Sequence, residues 1–158
     1  MLYKPVIVKK VINDEHYYYV DGKFYPSVTH ILSETLPMPY ALRMWIGDVG
    51  NERAQQKLEK AGERGTLIHE ACEKLVLGKT VDLAKEFPDQ KDKKSLVGFM
   101  NWFAKYQPNL IKDLTPELTV ASTMGYAGTL DYPCLINNEP YIIDFKTSSG
   151  IYDSHKLQ

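Results

Sequence analysis

The sequence predicts an α/β fold in which helices flank a mixed central β-sheet, with an N-terminal β-hairpin. Three observations predict it. The chain opens with two β-prone runs, its middle carries apolar residues at helical spacing, and three further β-prone runs follow towards residue 147. Because hairpin, helices and strands come in this order, we expect the helices to pack on a sheet.

The composition is typical of one soluble globular domain, residues 1–158. Hydrophobic residues make up 44% of the chain and charged residues 25%, and the net charge of −1 does not indicate nucleic-acid binding. No apolar run reaches the roughly 18 residues of a membrane-spanning helix, and the first residues lack the pattern of a signal or transit peptide. Cys72 and Cys134 fit no metal-ligand spacing and are expected to be buried free thiols in the cytoplasm.

Residues 1–25 are predicted to form the hairpin. Val6–Ile12 and Tyr17–Val20 are β-prone, and the polar run 13–15 between them suits a turn. Asp21-Gly22 is a second turn signal, because glycine adopts positive φ without steric cost.

Residues 26–106 are predicted to be mainly helical. Ser27 is the expected N-cap of a short helix, and Pro39 suits the first turn of the next one. A polar helix is expected at 52–61. Four glycines are expected to interrupt the helices: Gly47, Gly50, Gly62 and Gly65.

The helix that begins near Gly65 carries one apolar stripe and ends at Gly78. The residues of that stripe recur at helical spacing: Leu67, Ile68, Ala71, Cys72, Leu75 and Val76. His69 falls at the edge of the stripe. A charged connection, 85–94, is expected before a last helix, 94–106.

Residues 116–158 are predicted to hold the strands that carry the chemistry. Asn137 and Asn138 suit a two-residue hairpin turn, because both side chains tolerate positive φ. Counting outward from that turn puts Asp131 directly opposite Asp144, with Cβ atoms roughly 4.5–5.5 Å apart. Lys146 projects from the same face as Asp144, because side chains alternate along a strand. Three β-prone runs form these strands: 117–122, 127–136 and 141–147.

Two opposed carboxylates repel each other, and a divalent cation between them would explain the arrangement. For an isolated Asp-x-Lys the plainer interpretation is a solvated strand face with a surface salt bridge. The apolar neighbours of Asp144, residues 141–143 and Phe145, instead indicate a central, buried strand. Buried charges are costly unless they are paired or bound to metal. Two carboxylates with open positions suit Mg²⁺ or Mn²⁺, and a nearby lysine can orient or deprotonate an attacking water.

Four short segments that follow one another in the chain carry a family resemblance. They are 25–32 (YPSVTHIL), 64–69 (RGTLIH), 125–131 (GYAGTLD) and 143–148 (IDFKTS). Each is weak or moderate alone. Together, in this order, they resemble the PD-(D/E)XK nuclease superfamily, in the RecB-type branch that includes phage exonucleases and the mitochondrial genome maintenance exonuclease. Without this context, His69 would be interpreted as an ordinary histidine at a helix edge.

The resemblance implies a restriction-endonuclease-like core and a metal centre. His69, Asp131 and Asp144 would bind one or two Mg²⁺ or Mn²⁺ ions, with the backbone carbonyl of Phe145 as a further ligand. Lys146 would act on the water nucleophile. The catalytic residues would therefore be Asp131, Asp144 and Lys146.

Four further residues have supporting roles by the resemblance or by position. Glu117 would be a ligand or support one, although an ordinary residue at a strand start is the plainer interpretation. Arg64 and Arg43 would contact DNA phosphates. Gln158 matches the first position of the family's Q-x-x-x-Y helix, and we expect the tyrosine and the closing helix of the family domain to be missing from this chain.

The function implied is that of a metal-dependent deoxyribonuclease, an exonuclease acting on single-stranded or frayed DNA ends in recombination or repair. Its partners would be DNA and a helicase or recombination protein, with no membrane, in a bacterium or a phage-infected cell. One alternative is a non-catalytic DNA-binding or assembly module of a recombination or replication complex. Another is a metal-dependent hydrolase of a different phosphoester.

Overall fold

The computed structural model describes residues 5–12 and 15–148 and shows a mixed α/β protein with helices and small antiparallel sheets. In chain order the strands are β1 (Ile7–Ile12), β2 (Glu15–Val20), β3 (Lys23–Pro26), β4 (Asn109–Leu110), β5 (Leu118–Ala121), β6 (Ala127–Leu130), β7 (Tyr132–Ile136) and β8 (Glu139–Ile143). The helices are α1 (Val28–Thr35), α2 (Tyr40–Val49), α3 (Asn51–Val76), α4 (Leu83–Glu86) and α5 (Gln90–Tyr106).

The described residues group into two compact units. The first unit comprises residues 5–12, 15–37 and 117–130, and the second comprises 38–116 and 131–148. The organisation of residues 1–158 as one domain stays a prediction. Among the described helices, none combines the length and the apolar character needed to cross a bilayer.

The first unit contains the antiparallel sheet β1-β2-β3 and the antiparallel pair β5-β6. Asp21 and Gly22, with φ of 50° and 78°, form the tight turn between β2 and β3, as their sequence suggested. The turn expected at 13–15 falls largely on residues 13–14, which lie outside the described residues. The buried Tyr18 hydroxyl is paired with Thr129 Oγ1 at 3.0 Å, so the burial of this polar group is compensated.

Ser27 caps α1 as predicted. Its Oγ accepts a hydrogen bond from the backbone N–H of His30 at 3.0 Å, which satisfies one of the four N–H groups that have no partner within the helix. Pro39 is the N-cap residue of α2 and so lies just before its first turn.

The second unit is built on α3, which runs unbroken through 26 residues. The predicted breaks at Gly62 and Gly65 are therefore wrong, and Gly47 likewise lies inside α2. A glycine inside a helix costs about 1 kcal/mol relative to alanine, and the burial of α3 residues such as Ile68 exceeds that cost. Gly50, with φ of 83°, is the one glycine of the four that ends a helix.

The charged connection expected at 85–94 is also largely wrong. Residues 83–86 form α4, and α5 begins at Gln90, four residues before the predicted start. Asp89 explains the early start, because its carboxylate accepts a hydrogen bond from the N–H of Lys91 at 2.6 Å. Lys91 and Lys94 are exposed and face solvent from the first turns of α5 without breaking it.

The second unit contains the antiparallel sheet β4-β7-β8, and its register matches the prediction. The ladder runs from Ile136↔Glu139 to Tyr132↔Ile143. Asn137 and Asn138 form the turn with φ of 53° and 66°, the conformation for which asparagine is suited.

Two features of these strands differ from expectation. The run 127–136 is split at Asp131, because β6 pairs with β5 while β7 pairs with β4 and β8. β8 is an edge strand among the described residues, and Ile142 is 64% exposed, so the prediction of a central, buried strand is wrong. Pro140 lies within β8 and is the signal that was missed, because proline is confined to edge strands and strand starts.

The core of the second unit is formed by residues of α3, α5 and β7, together with Phe87 and Phe145. Its members are Ile68, Ala71, Cys72, Phe87, Leu96, Tyr132, Cys134 and Phe145. Cys72 and Cys134 are buried free thiols, as predicted.

Replacing Ser27 with alanine tests the cap of α1. We expect the free energy of unfolding to fall by about 1 kcal/mol, measured by urea denaturation. Ser33→Ala is the matched control, because Ser33 lies on the same helix and its exposed hydroxyl only donates to the His30 carbonyl. Equal effects of the two substitutions would contradict the capping role.

Candidate metal centre

Three segments of the second unit meet at the predicted site. His69 lies on α3, Asp131 occupies a bend just before β7, and residues 144–147 follow the end of β8. The last ladder pair is Tyr132↔Ile143. Asp131 and Asp144 are thus the next positions on the two strands, one step beyond the ladder.

Phe145 is the centre of the arrangement. Its backbone N–H donates to Asp131 Oδ2 at 2.6 Å, and its carbonyl accepts a hydrogen bond from His69 Nε2. Its ring is buried and lies 5.2 Å from the ring of Phe99 and 5.8 Å from that of His69, centroid to centroid. The backbone of one residue therefore connects both predicted metal-binding side chains, while its ring anchors it in the core.

The hydrogen bond to Phe145 fixes the tautomer of His69. A carbonyl oxygen can only accept, so Nε2 carries the hydrogen and, in the neutral imidazole, Nδ1 carries a lone pair. Nδ1 lies 3.6 Å from Asp131 Oδ2. Both atoms are electron-pair donors, and a cation bound to both would fit this separation.

Burial dominates the electrostatics of Asp131. Its side chain is 12% exposed, and burial raises the pKa of the carboxyl above its usual value. The Phe145 N–H and His69 act in the opposite direction, and the charge of Asp144 raises the pKa by less than burial does. The repulsion expected between the two aspartates is thus a secondary cause.

Lys146 explains why that repulsion is small. Its Nζ lies 2.7 Å from Asp144 Oδ2 and 2.9 Å from Oδ1. The side chain of Asp144 is 50% exposed, so this pair has the geometry of the plainer interpretation, a surface salt bridge. The carboxylate of Asp144 nevertheless remains exposed to solvent.

The predicted supporting residues are distributed more widely. Arg64 donates hydrogen bonds to Asp92, to Ser95 and to the Thr147 carbonyl. Sequence reasoning missed Asp92 and Ser95, which lie outside the segments that carry the resemblance. Arg43 lies over the ring of Tyr40 at 5.7 Å.

The supporting roles predicted for Glu117 and Gln158 are not tested. Glu117 belongs to the first unit and forms an ion pair with Lys9 at 4.0 Å. Gln158 lies outside the described residues. Their predicted supporting roles stay predictions.

The donor set of the second unit fits a hard or borderline divalent cation. Two carboxylates and an imidazole nitrogen supply oxygen and nitrogen donors, which suit Mn²⁺ and, with fewer nitrogen ligands, Mg²⁺. The Phe145 carbonyl, predicted as a further ligand, instead accepts a hydrogen bond from His69 Nε2. Cys72 lies one turn after His69 on α3, where burial, assisted by the negative charge of Asp131, raises the pKa of its thiol to about 12. The thiol therefore remains protonated and offers no thiolate to a softer metal.

We compared the chain with family models, curated proteins and solved structures, and nothing matched it. The family resemblance therefore stays a prediction carried by the four segments. The fold class that the structure supports is the coarser one, a mixed α/β protein with small antiparallel sheets and helices.

Proposed function

We propose that this protein is a metal-dependent deoxyribonuclease that hydrolyses phosphodiester bonds with bound Mg²⁺ or Mn²⁺, acting as an exonuclease on single-stranded or frayed ends. The observation that carries the proposal is the gap between His69 Nδ1 and Asp131 Oδ2, which are 3.6 Å apart. Because His69 Nε2 donates to the Phe145 carbonyl, Nδ1 is left for a cation, which would stabilise both this nitrogen and the Asp131 carboxylate. The resemblance of 64–69, 125–131 and 143–148 to nuclease segments supports the same function.

Each residue of the site has a separate role in the proposed reaction. A bound metal lowers the pKa of its water and polarises the phosphoryl group. Asp131 and Asp144 supply carboxylate oxygens, and His69 supplies a nitrogen whose direction is fixed by Phe145. Lys146 releases Asp144 and donates hydrogen bonds to the attacking water or to a phosphate oxygen, where negative charge develops.

Aromatic side chains near α2 support a preference for unpaired DNA. Tyr40 is exposed and lies under Arg43, and Trp45 lies under Lys57 at 5.8 Å. Aromatic faces that stack on bases, next to cations that attract phosphates, are the usual elements of single-strand binding sites. All four side chains belong to the second unit.

A non-catalytic DNA-binding module is the second candidate. The observation that favours it is the ion pair between Lys146 and Asp144, which engages the proposed catalytic lysine and a proposed ligand with each other. In this alternative the pair is a permanent surface salt bridge.

Replacing Lys146 with alanine separates the two candidates. We expect the protein with millimolar Mn²⁺ to degrade end-labelled single-stranded DNA, and Lys146→Ala to lower kcat by about 100-fold or more with DNA affinity retained. Cleavage is measured on denaturing gels and binding by fluorescence anisotropy. Lys74→Ala is the control, because Lys74 also pairs with a carboxylate, Glu86, at 3.4 Å on the surface. Equal DNA binding by wild type and Lys146→Ala, with no cleavage by either, would establish the module.

Metal binding should be visible in thermal stability without any DNA. A ligand at 100 times its Kd stabilises the folded state by about 2.7 kcal/mol, so saturating Mn²⁺ should raise the Tm. Asp131→Asn should abolish this rise, whereas Glu70→Gln, at an exposed position next to His69, should keep it. An unchanged wild-type melting curve would contradict the metal centre.

The pKa of Asp131 predicts a pH dependence for the metal-free protein. Because burial raises this pKa in the folded state, the carboxyl favours folding while it is protonated, and that contribution is lost as the pH rises through its pKa. Asp131→Asn should therefore become more stable relative to wild type between acidic and neutral pH. Urea denaturation in EDTA at several pH values measures the difference, and a difference that shrinks with rising pH would contradict the burial effect.

A further inference from the structure

We infer that Arg64, held in place by Asp92 and Ser95, is a positioning residue that orients Lys146 by fixing the backbone of Thr147. The inference rests on the proposed nuclease function, because it concerns the lysine of that site. It assigns to Arg64 a role different from the phosphate contact expected from sequence.

Lys146 lies in a segment that no sheet holds. β8 ends at Ile143, and residues 144–147 have no regular secondary structure. Before Lys146 the chain is anchored at Phe145 through its N–H, its carbonyl and its buried ring. After Lys146, Arg64 Nη1 donates a hydrogen bond to the Thr147 carbonyl at 3.4 Å.

The guanidinium of Arg64 joins three parts of the second unit. It extends from α3, its Nε donates to Asp92 Oδ1 on α5, and its Nη2 donates to Ser95 Oγ on α5 at 3.2 Å. The side chains of Arg64 and Asp92 are 22% and 18% exposed. A planar guanidinium held at two of its nitrogens cannot rotate freely, so its remaining N–H groups keep a fixed direction towards Thr147.

Gly65 of α3 also lies close to the segment. A Cβ atom built on Gly65 would lie 3.6 Å from Thr147 Oγ1, which is ordinary van der Waals contact. The Arg64 hydrogen bond is long, but this proximity shows that Thr147 lies against the same turn of α3. Lys146 is therefore held between Phe145 on one side and a surface formed by Arg64 and Gly65 on the other.

These contacts argue against a direct phosphate contact by Arg64. Asp92 already neutralises the guanidinium, and a phosphate approaching the pair would meet the negative charge of Asp92. Removing that carboxylate would leave a partly buried cation without its partner and would free the guanidinium to move. The positioning and phosphate-contact roles thus predict opposite results for Asp92.

Steady-state kinetics of Asp92→Asn tests the inference. We expect kcat on single-stranded DNA with Mn²⁺ to fall by about tenfold or more, because small displacements of a reacting group cost up to about 100-fold, while KM and Mn²⁺ affinity stay within about twofold. Asp92→Glu, which keeps the charge, should retain more of kcat than Asp92→Asn. Glu86→Gln is the control, because it removes another ion pair of α3, with Lys74. Mn²⁺ affinity is measured by calorimetry.

If Arg64 binds phosphate instead, Asp92→Asn should leave kcat unchanged and lower KM, because the guanidinium gains charge available to DNA. Arg64→Lys would then raise KM and change the salt dependence of binding. Either result would overturn the inference.

Hydrogen exchange followed by mass spectrometry gives a readout that does not depend on activity. In Asp92→Asn, the peptide that spans Phe145 to Thr147 should exchange faster, because the Phe145 N–H that donates to Asp131 lies next to the released residues, while the amides of Cys134 and Leu135 in β7 stay protected. Faster exchange throughout β7 would mean general destabilisation and would also overturn the inference. If the wild-type protein cuts no DNA, the proposed function is refuted but the inference is not. The exchange result still decides whether Arg64 and Asp92 fix the backbone of residues 144–147.

Discussion

The two hydrogen bonds made by the backbone of Phe145 are the constraint on which the candidate site depends. Its N–H binds Asp131 and its carbonyl binds His69, so the position of each side chain is set by the same residue. The buried ring of Phe145 transmits this constraint to the core, where it packs with Phe99 and Tyr132. The core and the backbone therefore fix the positions of His69 and Asp131. Asp144 and Lys146 lie on the solvent side of these two residues.

This coupling explains why Asp131 and Asp144 can lie next to each other just beyond the β7–β8 ladder. Asp131 is buried and compensated by an N–H donor, whereas Asp144 is exposed and neutralised by Lys146. The two carboxylates occupy different electrostatic environments although they follow the same ladder pair. Such asymmetry suits a centre in which one carboxylate binds firmly and the other exchanges between the lysine and a second cation.

The features predicted correctly from sequence are those fixed by local chemistry. The Asn137-Asn138 turn determines the register of β7 and β8, and Ser27 determines the start of α1. Tertiary contacts decided the rest. Gly62 and Gly65 did not break α3, because packing outweighs helix propensity. At the site, sequence identified His69, Asp131, Asp144 and Lys146, but the N–H of Phe145 and the carboxylate of Asp92 act through contacts that leave no mark in a local pattern.

The tight turn at Asn137-Asn138 restricts how this segment can change in length. Successive side chains on a strand point to opposite faces, so one residue inserted within β8, with the turn unchanged, would send Asp144 and Lys146 to the opposite side of the sheet. An insertion of two residues would restore their direction. Homologous chains that keep this chemistry should therefore vary here only by even numbers of residues, or carry a compensating bulge.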